Sequence, residues 1–123
     1  MTLSRVVMRL ARNPGGRFAG GDDHRGYTLI VPLTSDARID SAAYAKQKDA
    51  CQVRRFAPNE DPVDGRLVRH GQRWFFDYED ADTADDEPLY RLGDHRFAVG
   101  EYVTVTEEGA PPLTYKVVEV TRV

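Results

Sequence analysis

The sequence has only one cysteine, and this scarcity excludes two common ways of holding a small domain together. Cys51 has no partner for an internal disulfide, and no cysteine and histidine residues stand at the spacing of a structural zinc site. With 123 residues, the chain is nevertheless long enough to bury roughly two-thirds of its unfolded surface on folding. We therefore predict one globular domain, residues 1–123, that folds without cross-links in the reducing cytoplasm.

Long apolar runs are missing as well. No stretch reaches the roughly 18 consecutive apolar residues that a transmembrane helix needs. The apolar stretch at residues 3–10 is interrupted by Arg5 and Arg9, and no cleavage site of small residues follows it, so it does not have the form of a secretory signal. We expect a soluble chain without a membrane partner.

Lysine is also scarce, since it occurs only at Lys46, Lys48 and Lys116 among 17 basic residues. The net charge of −3 disfavours a nucleic-acid partner, because proteins that bind the phosphate backbone carry a clustered positive excess. The planar guanidinium of arginine pairs with carboxylates as well as with phosphates. We therefore expect arginines to pair with the 20 acidic residues of the chain itself.

The apolar residues that are present alternate with polar ones over short segments, a period that is typical of half-buried β-strands. The strands are predicted at residues 3–11, 27–33, 52–56, 65–69, 73–78, 101–106 and 113–120. Two of them form a hairpin in which Trp74, Phe76 and Tyr78 point to one face, so the hairpin should supply much of the core. Loops are expected at residues 13–26, 58–62 and 79–88, the last of them acidic.

One segment has the pattern of a helix. Asp40 is a suitable N-cap, and Ile39 and Tyr44 occupy the two positions of a hydrophobic staple, so a short helix is predicted from Ser41 to about residue 50. Cys51 follows on the same apolar face as Tyr44, which predicts a buried, unreactive thiol. The predicted fold is mainly β, with a curved antiparallel sheet or a partly open small β-barrel and one short α-helix.

Two segments, residues 49–56 (DACQVRRF) and residues 90–103 (YRLGDHRFAVGEYV), resemble a small uncharacterised family of single-domain bacterial proteins. The similarity extends over most of the chain. Because no function is known for that family, the resemblance implies a single stable domain and assigns no catalytic or binding residue. Residues 97–105 are also similar to the strand entries of many small β-barrels, which favours the barrel prediction.

The histidines are the first candidates for a site, since histidine and aspartate are common metal ligands. His24 stands close to Asp22 in the sequence, and His95 follows Asp94. If the loop before the second strand meets the segment before Phe97, these four side chains converge at one end of the sheet. Exposed histidines in turns are the alternative explanation.

A basic and aromatic group is the second candidate. Arg55 and Trp74, with neighbouring arginines, could hold an anion or stack on a base. Because Arg54 and Arg55 point to opposite faces of a strand, they cannot both line one groove. Packing of an arginine on the indole ring is the alternative explanation.

Two further segments do not match the motifs that they partly resemble. The Gly-rich segment at residues 15–26 lacks the Gly-Lys-Ser/Thr ending of a phosphate-binding loop. The acidic run places Asp85 where a calcium-binding loop needs glycine.

We therefore predict a small, non-enzymatic cytoplasmic domain that binds a protein or a small anionic ligand, with no cofactor and no assigned catalytic or metal-binding residue. The candidate ligand-binding residues are Asp22, His24, Arg55, Trp74, Asp94 and His95. The alternatives are a metal- or anion-dependent enzyme with its site near His24 and His95, and nucleic-acid binding through the arginines.

Overall fold

The computed structural model of the protein describes residues 3–13, 19–70, 73–78, 87–89, 96–105 and 112–123. This part of the chain forms eight β-strands, a short α-helix and a turn of 3₁₀-helix. The strands are β1 (Leu3–Leu10), β2 (Asp22–Pro32), β3 (Gln52–Ala57), β4 (Glu60–His70), β5 (Arg73–Tyr78), β6 (Glu87–Leu89), β7 (Tyr102–Val105) and β8 (Leu113–Arg122). The helix α1 (Ser41–Lys46) and the 3₁₀ turn (Lys48–Ala50) lie between β2 and β3.

The strands form one antiparallel sheet that curls on itself. Each strand pairs with the next along the chain, and β8 pairs with β1, so the sheet closes into a barrel. Within the described residues, the thinnest junction is between β6 and β7, which are joined by the pair Leu89 and Val105. The prediction of a mainly β fold, with a curved antiparallel sheet or partly open small β-barrel and one short α-helix, is confirmed.

Alternate residues of the strands point into the barrel and form a hydrophobic core. At its centre the Tyr27 ring lies 5.0 Å from the Phe76 ring and 5.0 Å from the Tyr115 ring. Aliphatic and thioether side chains surround these rings; they are Val6, Met8, Leu10, Leu29, Val31, Val103, Val105 and Val117. Because side chains alternate along a strand, the residues between these core positions face the outside of the barrel.

The helix α1 covers the end of the barrel at which β1 begins and β2 ends. Asp40 is its N-cap, with Oδ1 accepting a hydrogen bond from the Ala43 backbone N–H at 3.0 Å, and the staple residues Ile39 and Tyr44 are buried. The Tyr44 ring packs edge-on against Trp74 at 4.8 Å between centroids. The predicted cap, staple and burial of Trp74 are therefore confirmed.

The helix is shorter than the sequence predicts. It ends at Lys46 and the chain continues as the 3₁₀ turn, whereas a helix to about residue 50 was expected. Gln47, at φ −133° and ψ 33°, leaves helical geometry while its N–H still bonds to the Tyr44 carbonyl oxygen. The tighter turn lets the Cys51 side chain enter the core immediately before β3 begins.

Strand β2 begins five residues earlier than expected. The sequence assigns residues 22–26 to a Gly-rich loop, but they belong to β2: Gly26 pairs with Arg9 and Asp22 with Leu10, with a register shift between the two pairs. A Cβ atom at Gly26 would lie 1.9 Å from the Met8 carbonyl oxygen. Glycine is therefore what lets the two backbones approach here, and the loop interpretation was wrong for this segment.

Two other segments predicted as loops also contain strands. The turn between β3 and β4 consists of Pro58 and Asn59, with Asn59 at φ 61°. Strand β4 then accommodates Pro62 at a register shift, where the ladder does not need the missing N–H. In the acidic segment Glu87–Leu89 forms β6, while residues 79–86 lie outside the described residues.

The hairpin and the last two strands are confirmed. His70 pairs with Arg73 across the hairpin, and Trp74 and Phe76 are buried on its inner side. The Tyr78 side chain lies outside the part of the chain that is described. Across the described residues, no helix has the length and apolar character needed to cross a membrane.

We predict that Gly26→Ala destabilises the protein by about 1–3 kcal/mol or more, because the new methyl group meets backbone atoms that cannot move aside. Gly20→Ala is the matched control, since a Cβ at Gly20 has nothing within 4 Å. Chemical denaturation of both variants measures the difference. Equal unfolding free energies for the two variants would contradict the close approach of β1 and β2.

Candidate functional site

Asp22 and His24, two of the predicted site residues, lie on the surface at the start of β2. Asp22 Oδ1 accepts a hydrogen bond from the His24 backbone N–H at 2.9 Å, and its other oxygen lies 3.7 Å from Arg25 Nε. Among the described residues, no group of three or more histidine, cysteine, aspartate and glutamate side chains is placed to hold a metal ion. The carboxylate of Asp22 therefore organises its own turn.

Asp94 and His95, the other half of the predicted metal or anion site, lie outside the described residues. The chain is described again from Arg96, whose Nε donates to the Asp36 carbonyl oxygen at 3.3 Å. Asp36 follows the end of β2, whereas Asp22 and His24 stand at the beginning of that strand. The convergence of the four side chains stays a prediction.

Arg55 and Trp74 are not brought together. Arg55 pairs with Val63 of β4, and Trp74 pairs with Arg69 of the same strand. Six residues of extended chain separate these two positions, which is about 20 Å along the strand. Trp74 instead has the Arg69 guanidinium over its ring, 5.5 Å from the centroid, the packing that the sequence left as the alternative explanation.

Several exposed arginines pair with acids of the chain itself, as expected. Arg54 makes a fork with Asp64, donating from Nε at 2.6 Å and from Nη2 at 3.1 Å, and these hydrogen bonds hold the pKa of Asp64 below its usual value. Arg66 lies 3.2 Å from Asp49. Their charges are therefore already balanced by neighbouring carboxylates.

Cys51 is buried in the core, as predicted from its place on the apolar face. Burial raises the pKa of the thiol from its ordinary value of 9.0 to about 11. A thiolate is the reactive form of cysteine, so this group is poorly suited to act as a nucleophile near neutral pH.

A different group of cations stands together on the outer face of β1, β8 and β7. The ladder places Arg9 directly opposite Lys116, and Lys116 directly opposite Tyr102. These side chains line a groove of about 600 Å³, together with Arg12, Gly21 and other residues. We call it the cationic groove, defined by Arg9, Arg12, Gly21, Tyr102, Lys116 and Val118.

A bulge on β8 and a close backbone approach just before β2 shape the groove. The register of β1 and β8 shifts between the pairs Val7–Glu119 and Met8–Val117, which leaves Val118 as the extra residue of a bulge with an exposed side chain. On the other side Gly21, at φ 78°, passes so close to β1 that a Cβ atom would lie 2.9 Å from the Leu10 carbonyl oxygen. The bulge thus supplies an apolar wall, and the glycine lets the chain on the opposite side approach β1 closely.

Asn13 holds the chain in place beyond the end of β1. Its Nδ2 donates to the Ala11 carbonyl oxygen at 2.8 Å and to the Thr114 carbonyl oxygen at 3.2 Å. Its Oδ1 accepts from the Thr114 N–H at 2.9 Å. The side chain therefore continues the β1–β8 ladder and fixes the backbone that carries Arg12.

The cationic groove carries more positive than negative charge. Arg9 and Lys116 make no ion pair with any described residue, although Arg9 Nη1 donates to the Asp23 carbonyl oxygen. Two carboxylates, Asp22 and Asp23, also line the groove, but that of Asp22 already interacts with Arg25. Arg9, Arg12 and Lys116 therefore outnumber the two carboxylates that line the groove.

Sequence reasoning missed this groove. Arg9 and Lys116 are separated by most of the chain, and each occupies an ordinary outward position of an alternating strand. Their adjacency depends on the β1–β8 pairing and on the bulge at Val118, which the alternation of residues does not encode.

Comparison with known proteins finds no matching family model, no matching curated protein and no matching solved structure.

We predict that Cys51 does not react with a thiol reagent at pH 8 in the folded protein, and reacts at the rate of a free cysteine in denaturant. Stability should also fall as the pH rises from about 9 towards about 11, because the thiol ionises in the unfolded chain before it ionises in the folded one. Unfolding free energies of the wild type and Cys51→Ser across this range isolate the effect. Rapid labelling of the folded protein would contradict the buried position.

Proposed function

We propose that the protein is a cytoplasmic ligand-binding domain that takes a small anion in the cationic groove. The observation that carries this proposal is the row Arg9–Lys116–Tyr102, in which two cations stand side by side without a carboxylate partner among the described residues. Such an arrangement serves anion recognition better than it serves the fold.

The placement of Arg9 opposite Lys116 costs folding free energy. Like charges directly opposite each other on neighbouring strands destabilise a sheet. An anion bound between Arg9 and Lys116 removes this repulsion and accepts charge-assisted hydrogen bonds from both side chains. Because the whole chain has a net charge of −3, an anion gains attraction only at such a local group.

A second groove of about 470 Å³, on the outer face of β1 to β4, supports the same function less well. It contains Arg5, Arg54 and Arg66, but Arg54 is bound by Asp64 and Arg66 by Asp49. An anion there would have to compete with carboxylates that are already in place.

The two alternative functions have less support. A metal- or anion-dependent enzyme near His24 would need Asp22, which is engaged by the His24 N–H and by Arg25. Nucleic-acid binding through the arginines would need guanidinium groups such as those of Arg54 and Arg66, which are paired with acids of the chain.

Titration calorimetry with inorganic pyrophosphate at low ionic strength tests the proposal. We expect the wild type to bind, and Arg9→Gln and Lys116→Gln each to weaken binding about tenfold or more, since a hydrogen bond to a charged group contributes about 1.5–3 kcal/mol. The double variant should show no measurable binding. Added salt should weaken the wild-type interaction because exposed charges are screened.

Arg5→Gln is the matched control, because Arg5 lies on the same strand and the same outer face and is exposed, but does not line the cationic groove. It should keep the wild-type affinity. Absence of pyrophosphate binding, or equal losses in Arg5→Gln and Lys116→Gln, would overturn the proposal.

A further inference from the structure

Apolar surface accompanies the cations of the groove. Of the four large hydrophobic side chains that are exposed within the described residues, two line the cationic groove: Tyr102, at 53% exposure, and Val118, at 38%. A site for a bare inorganic anion does not need exposed apolar side chains. Their presence indicates a ligand with an apolar, planar part beside its charge.

We infer that the anion is a phosphorylated nucleoside, with its base stacked on the Tyr102 ring and its phosphate between Arg9 and Lys116. This inference rests on the function proposed above and assigns the chemical class of the ligand. Tyr102 is the residue that would distinguish it from other phosphate compounds.

The spacing of the row fits such a ligand. Neighbouring strands lie about 4.8 Å apart, so Tyr102 on β7 is one strand from Lys116 and two strands, about 10 Å, from Arg9. A ligand that spans the row must therefore be elongated, with charge at one end and a flat surface at the other. A base joined to a phosphate through a ribose has this form.

The extent of the groove favours a single nucleotide over a polymer. A volume of about 600 Å³ lies within the usual range for small-molecule sites. A nucleic-acid strand would need a longer track of cations, and the net charge of −3 opposes one. Stacking of one base on an aromatic ring is nearly independent of which base is present.

The test compares four probes by calorimetry: AMP, UMP, ribose 5-phosphate and adenosine. We expect the nucleotides to bind at least about tenfold more tightly than ribose 5-phosphate, because the stacking of one base on an aromatic ring strengthens binding by about this factor. Adenosine should bind more weakly than AMP. Tyr102→Leu should remove the advantage of the nucleotides over ribose 5-phosphate, and Tyr102→Phe should keep it.

Failure of the inference and failure of the proposed function give different results. If ribose 5-phosphate and the nucleotides bind equally, with Tyr102→Leu without effect, the groove takes anions but does not take nucleosides. If pyrophosphate binds but the nucleotides and ribose 5-phosphate do not, the inference fails and the anion site stands; if pyrophosphate does not bind either, the anion site itself is refuted. If a single-stranded oligonucleotide binds far more tightly than AMP, with a steep salt dependence, the ligand is a polymer and the inference is overturned.

Discussion

The packing of the Tyr27 ring between Phe76 and Tyr115 is the contact on which the rest of the structure depends. These three side chains come from β2, β5 and β8, so their contact joins strands that are not hydrogen-bonded neighbours in the sheet. Aliphatic side chains occupy the surrounding space as part of the same cluster. Because side chains occupy the middle of the barrel, the proposed anion site is on the outer face, where the alternation of the strands places polar residues.

The cationic groove on this outer face lies where the ladder is irregular. The ladders of β1 have one extra residue on β8, Val118, and extra residues 23–25 on β2, and both register shifts lie close to Arg9. Gly21 and Gly26 let the chain approach the backbone of β1 closely on the β2 side. The cationic groove is therefore a consequence of two bulges in an otherwise regular barrel, a position where bulges commonly redirect side chains.

Periodicity was sufficient to predict the fold class, the hairpin around Trp74 and the cap at Asp40, because each of these depends on residues close together in the chain. It failed for residues 22–26 and for Pro62, where glycine and proline suggested loops and the structure uses them at a close approach and a register shift. The six predicted site residues do not form one site among the described residues. Asp22 lines the cationic groove, and His24 lies two residues further along β2. Arg55 and Trp74 are separated, and Asp94 and His95 are outside the described residues. The sequence does not predict the Arg9–Lys116 pair, because only the register of β1 and β8 makes these two residues neighbours.

The central claim is that an anion binds at the Arg9–Lys116–Tyr102 row of a folded, filled barrel. Amide chemical shifts recorded during a titration of the whole chain with pyrophosphate locate the binding surface directly. The account predicts that the largest changes occur at Arg9, Gly21, Tyr102 and Lys116. Changes centred instead on Arg5, Gln52 and Arg66, or spread evenly over the barrel, would contradict it.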